Sequence, residues 1–390
     1  MRVISRAAVT LAAGAGLMVA PTVATAHPSH PYGPFHPGRS AGYVYVNDNS
    51  AVHNTVAGFR RHLDGSLTPL PGSPFSTGGA GTGVAIGSQG SLQPAFAGRY
   101  VLAVDAGSDQ ISVLAVDGDG SLRFVRGGTV SSGGSKPVSI AVHEDLVYVA
   151  NAGAGGSNYT GFVLGSDGVL RHLPGSTVAL PDNAQPGDVL FNGTGTRLAG
   201  TRVGTSLIDS FVVGRDGRLR AAPGSPYAAQ GPGPFGSEFR PTEPSELYVS
   251  NAHGGAGAGT VSAFHDGVDG SLTSIGASPF PDHQTAPCWV EISHDGRYLF
   301  TVNTAQPSIS SYAINRDGSL TLLGSAAFKN PTGLAPVDAR LSPDGSTLSV
   351  VDSGTHQVST FSVRGGKLAE LASSPTALPA GSAPFGIVTG

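Results

Sequence analysis

Asp188, Glu238, Glu291 and Asp338, with Arg340 two residues past the last of them, are the charged residues whose placement could do chemistry in this chain. A carboxylate can take a proton from water, and a neighbouring guanidinium can hold a carbonyl oxygen as it becomes anionic, so the set has the parts of an ester-hydrolysing site. Two further residues join it as candidate ligand contacts. Arg202 interrupts a column of Asn and Asp residues, and a guanidinium there would reach an anionic ligand bidentately. His253 lies in the glycine-rich stretch "NAHGGAGAGT". The competing expectation is structural: Asp188 and Asp338 tie down N–H groups of their own loops, and Glu238 and Glu291 pair with neighbouring sheets.

Other motifs carry less. "GPGPFG", residues 231–236, matches a dinucleotide-binding pattern, but two prolines remove donors a phosphate needs and no strand-to-helix context surrounds it. There is no GxSxG elbow, and Cys288 in "APCWVE" reads as a packing thiol beside Trp289. The 12 histidines show no metal-ligand spacing, so no metal and no cofactor is expected. His27, His30 and His36 fall in a Pro- and His-rich leader, while His53, His253 and His356 come from separate repeats.

The elements that must position these residues form a repeat. "DGSL" begins at Asp64, Asp119, Asp269 and Asp317, "DGVL" at Asp167, "DGRL" at Asp216, and "RGGKL" at Arg364. Successive starts lie 55, 48, 49, 53, 48 and 47 residues apart. Asp-Gly between two β-rich runs marks a hairpin, because the tight turn needs φ > 0, free for Gly and tolerated by Asp. A shorter run precedes each hairpin and ends at Asn47, Asp105, Asn151, Arg202, Asn251, Asn303 or Asp352. A fourth run precedes that one: "GTGVAIG", "KPVSIAV", "QPGDVLF", "PFGSEFR", "APCWVEI" and "APVDARL", with "APFGIVT" left over at the end. The first unit lacks that run, and the last copy has nothing after it. The expected fold is therefore all-β: a seven-bladed β-propeller over 42–390 with four-stranded blades, closed by a C-terminal strand completing the first blade.

Residues 1–26 read as a signal peptide, with two arginines, a short apolar core and Ala24-Thr25-Ala26 before the cut, and 27–41 as a flexible leader. The expected mature protein is secreted. Without Arg2 and Arg6 it carries 20 basic against 26 acidic residues, and it has only three lysines, so nucleic acid is not an expected partner. No later stretch is apolar enough to span a membrane, and a monomer is expected, with a small molecule or glycan as its ligand. One cysteine allows no internal disulfide, so stability must come from a large core.

The repeats, clearest in "APCWVEISHDGRYLFTVNTAQPSISSYAINRDGSLTLL" and "APVDARLSPDGSTLSVVDSGTHQVSTFSV", resemble the lactonase family of seven-bladed propellers, which includes phosphogluconolactonase-like and carboxymuconate-lactonising enzymes. That resemblance implies lactone or cyclic-ester hydrolysis at the mouth of the central channel, with His, Arg and Glu at the starts of innermost strands. Here those starts read Gly233-Pro234-Phe235-Gly236, Pro137-Val138, Pro186-Gly187-Asp188, Pro287-Cys288 and Pro336-Val337, with no His or Arg at the matching position. No catalytic residue is therefore carried over. The alternative is a non-catalytic propeller binding a small molecule, glycan or protein on the same face.

Overall fold

The Asp-Gly turns account for much of the architecture. In a computed structural model describing residues 40–390, Gly65, Gly120, Gly168, Gly217, Gly270 and Gly318 all adopt φ between +75° and +87°. The preceding aspartate closes the turn: Asp64 Oδ1 accepts from the Ser66 amide and hydroxyl at 2.9 and 2.6 Å. Asp119, Asp269 and Asp317 repeat that pair of bonds.

Several of the turns are also fastenings between sheets. Tyr45 donates to the Gly120 carbonyl of the next sheet at 2.6 Å, Tyr148 to Gly217 at 2.8 Å and Tyr248 to Gly318 at 2.9 Å. A Cβ on Gly120 would sit 2.1 Å from the Tyr43 ring, so the close approach requires glycine there.

Seven antiparallel sheets result, the blades, numbered 1 to 7 along the chain. Blade 3 is typical, with Pro137–His143 innermost, then Leu146–Asn151, Asn158–Leu164 and an outer position split into Leu170–His172 and Val178–Ala179. Both outer pieces pair with the third strand, so the four positions hold five strands. Blade 6 alone keeps one unbroken outer strand, Leu320–Ala327.

Ring closure is as expected. Ile387–Thr389 pairs antiparallel with the strand Ser40–Asn47, matching Val44 with Thr389 and Val46 with Ile387, and becomes the innermost strand of blade 1. Thr389 Oγ1 also donates to the Leu341 carbonyl of blade 7 at 2.6 Å. The first strand thus begins at Ser40, two residues before the expected boundary. The expected signal peptide and most of the expected leader, with His27, His30 and His36, lie outside the described residues. The core fills the spaces between blades, with Val44, Leu102, Val149, Leu198, Leu299 and Val350 all fully buried.

One strand departs from the sequence reading. "GTGVAIG" was expected as the innermost strand of blade 2, but that strand is Leu92–Ala95. The alternation around Val84 and Ile86 resembles a strand, yet Ile86 is buried in the core while Val84 is 65% exposed. No ladder hydrogen bonds hold the run. It leads instead into a segment that crosses the axis.

The Asn/Asp column is structural. Asn303 donates to Ser308 and Ser310 at 3.0 and 2.9 Å, Asn251 to Thr260 and Ser262 at 2.9 and 2.8 Å, and Asp105 accepts from Asn54, Thr77 and Ser112. All three are buried; Asn251 and Asn303 fix the loop joining the second and third strands of their blades, while Asp105 also ties Asn54 and Thr77 of blade 1 to blade 2.

Candidate active site on the ring axis

The innermost strands bring three of the predicted residues together. Glu238 pairs with Tyr248, Glu291 with Phe300 and Arg340 with Ser349, each three residues before the column residue of its second strand. They therefore stand at one height in blades 5, 6 and 7. Arg340 Nη1 lies 3.2 Å from Glu291 Oε2 and 3.4 Å from Glu238 Oε1, so one guanidinium spans two blades.

The two glutamates differ. Glu291 is spent: its other oxygen accepts the Leu341 amide at 2.8 Å, and its side chain is 7% exposed. Glu238 has no hydrogen bond besides Arg340, and 23% of its side chain remains exposed. Burial, then the neighbouring Glu291 charge, pushes the Glu238 carboxyl up to about 8, and burial raises Glu291 as well. Burial disfavours charge on Arg340, but Glu291, Asp338, Glu238 and Asp188 outweigh it and hold its proton more firmly than usual. Arg340 Nε is buried with no acceptor, a donor left over in the cluster.

Asp188 and Asp338 are consumed by structure. Asp188 accepts from Ser139 of blade 3 at 3.1 Å and from the Ser237 amide and hydroxyl of blade 5 at 2.9 and 2.8 Å. Asp338 accepts from its neighbour Ala339 at 2.9 Å and from the Gly90 amide at 3.3 Å. Burial lifts the first to about 7 and the second to about 6. With one arginine among four carboxylates, the axis holds extra protons near neutrality.

Arg202 and His253 do not join them. Arg202 Nε and Nη2 meet Asp209 at 2.6 and 2.5 Å, and the Tyr159 hydroxyl donates to the same carboxylate at 3.0 Å. Asp209 occupies the third-strand position held by Ser112 and Ser310 in blades 2 and 6. Blade 4 has thus replaced an amide–hydroxyl bond by an ion pair. His253 is exposed against Gly233, where a Cβ would lie 2.4 Å from its ring. His53 and His356 are exposed on their own loops, and no group of three His, Cys, Asp or Glu among the described residues is placed to hold a metal ion. Cys288 is buried, and burial pushes its thiol up to about 11, as suits packing rather than nucleophilic attack.

Sequence reasoning missed Gln89. The residue is 4% exposed; its side chain donates to the Ser237 carbonyl at 2.8 Å and accepts from the Val290 amide at 2.9 Å, while its backbone amide donates to Gly187 at 2.9 Å. One residue thereby touches blades 4, 5 and 6 directly beside the two glutamates. A neutral residue in a glycine-rich run gives no signal for such a position.

Fold and site together define a seven-bladed propeller with a carboxylate–guanidinium cluster on its axis. Residues 238–385, which contain Glu238, Glu291 and Arg340, match the family model "Lactonase, 7-bladed beta-propeller". That segment is what this chain shares with the lactonase family of seven-bladed propellers. A "putative 6-phosphogluconolactonase" from Bacteroides uniformis is similar over 90% of this chain and 100% of its own, with a TM-score of 0.72 at 21% identity. A periplasmic gluconolactonase from Pseudomonas aeruginosa matches over 89% and 98%, with a TM-score of 0.69 at 16% identity. At such identities these likenesses speak for the fold. Among curated protein sequences, none matches the chain.

Proposed function

We propose that this chain hydrolyses a lactone at the Glu238–Glu291–Arg340 cluster. Glu238 carries the reading: alone among the four axial carboxylates it has an oxygen free of other bonds and a partly exposed side chain, and its raised titration, at about 8, suits proton transfer. In its ionised form Glu238 takes a proton from water as the water oxygen bonds to the lactone carbonyl carbon. The carbonyl oxygen becomes anionic and meets the Arg340 guanidinium, while Glu291 holds Arg340 in place. Collapse of that intermediate breaks the ring C–O bond. Glu238 returns the proton to the departing alkoxide, and a hydroxy acid is released.

The family match over 238–385 supports this chemistry, as do the gluconolactonase assignments of the two similar structures. Residues 1–26, read as a signal peptide, support a further part of the proposal, that the work is done outside the cytoplasm; we also propose a monomer and a small-molecule or glycan ligand. A second reading, a non-catalytic binder, is favoured by the Ser88–Gly90 segment, which occupies the axis just above the glutamates.

A panel of lactones followed by proton release separates the two. Hydrolysis should rise with pH through about 8, as Glu238 ionises. Glu238→Gln should lower kcat by roughly 100-fold or more, the scale of a lost general base. Native protein with no release above the spontaneous rate, or Glu238→Gln with unchanged kcat, would leave the binding reading in its place.

A further inference from the structure

The residues joining the outer edge of blade 1 to the innermost strand of blade 2 pass through the centre of the ring. The Ser88 hydroxyl donates to the Val138 carbonyl of blade 3 at 2.7 Å, and its carbonyl accepts the Trp289 indole N–H of blade 6 at 2.9 Å. Gln89 reaches blades 4, 5 and 6 as described, and the Gly90 amide reaches Asp338 of blade 7. Three consecutive residues therefore bond to five blades, and Ser88, Gln89 and Ile86 are all buried. Trp289 stands between Phe235 and Phe385, at ring-centre distances of 5.0 and 6.2 Å, so the segment rests beside an aromatic wall from blades 5, 6 and 1.

We propose that Ile86–Gly90 is a resident stopper that closes the ring at the starts of its innermost strands, with the Gln89 carboxamide holding the strand edges that a ligand entering there would need. The Ser237 carbonyl and Val290 amide lie on the innermost strands, where the axis side has no further strand to pair with them. Gln89 offers each its complement, a donor to one and an acceptor to the other, as an amide ligand would. Gly236 allows the fit, because a Cβ there would sit 2.2 Å from Gln89 Oε1. Ser237 and Val290 immediately precede Glu238 and Glu291, so the stopper covers the cluster from that side.

The segment sets what reaches the lactone-hydrolysing cluster, and in that respect the inference rests on the proposed function, but its test does not need activity. Trp289 is the sole tryptophan and its indole is bonded to the stopper, so its fluorescence reads the seal directly. Native protein should emit at short wavelength and be quenched weakly by acrylamide. Gln89→Ala should raise the quenching constant at least threefold and shift emission to the red, with a cooperative thermal melt retained. If that variant loses its melt, Gln89→Met, which keeps the length without either bond, should show the same rise. Native Trp289 quenched as freely as in the unfolded chain, or a folded variant quenched like the native protein, overturns the stopper. Absent lactone hydrolysis in every variant would sink the proposed function while leaving the fluorescence result to decide the seal.

Discussion

Asp209→Ser should destabilise the protein sharply, and adding Arg202→Asn should rescue it. The single change removes both bonds to the Arg202 guanidinium, which is 13% exposed, and takes the acceptor from the Tyr159 hydroxyl. Removing one partner of a buried pair costs about 3–5 kcal/mol, and the slight exposure of Arg202 points to the lower end, about 3 kcal/mol. Arg202→Asn alone leaves Asp209, 2% exposed, with Tyr159 and an amide, at a cost of about 1–3 kcal/mol. The double variant recreates the bond that joins Asn303 to Ser310 at 2.9 Å in blade 6. It should fall within about 1 kcal/mol of the native protein, a coupling of about 3 kcal/mol or more between the sites. Urea unfolding of the four proteins by circular dichroism gives the cycle, provided the slopes agree. A double variant as unstable as its two single changes added together would show that Arg202 and Asp209 are not the exchanged counterpart of the amide and hydroxyl.

Three other outcomes are expected. Glu238→Gln should flatten the pH dependence of stability: the folded carboxyl lies above its unfolded value of 4.5, so its contribution is complete below that pH and lost as pH rises through about 8. The variant should gain on the native protein by up to about 1.4 kcal/mol per pH unit across that window, and parallel curves in urea at pH 5 to 8 would contradict the raised value. Gly200→Ala places a Cβ 2.3 Å from the Tyr159 hydroxyl and should cost about 1–3 kcal/mol in the same assay, whereas a neutral result would mean Tyr159 need not reach Asp209. Ile387→Ala empties a fully buried site in the closing strand and should cost about 2–5 kcal/mol; a loss under about 1 kcal/mol would make that strand dispensable.

The ring was legible because its signals are local and repeated. Six Asp-Gly turns with glycine at positive φ, and a spare run at one end matching a missing run at the other, leave little freedom in the count of blades. Blade 2 was misread because Leu92–Ala95 is short and contains Pro94, while the preceding Val84-Ala85-Ile86 alternates like a strand but buries Ile86 on the axis. Glu238, Glu291 and Arg340 were visible as charges on innermost strands, and their common height followed from register. Arg202 was recognised as anomalous, and its partner was in view: Asp209 stands where blades 2, 3, 5, 6 and 7 carry Ser112, Thr160, Ser262, Ser310 and Ser359. Gln89 was not visible, since its importance comes from backbone groups of blades 4, 5 and 6 that no side-chain pattern records.

Val44 waits for Thr389, a partner in a strand made long after its own. During synthesis the first sheet emerges early with its inner border bare, and it stays bare until Ile387–Thr389 leave the ribosome. Prematurely terminated products would keep that border available for pairing with one another, making them prone to clump. Sealing of that edge therefore waits on the arrival of Ile387–Thr389.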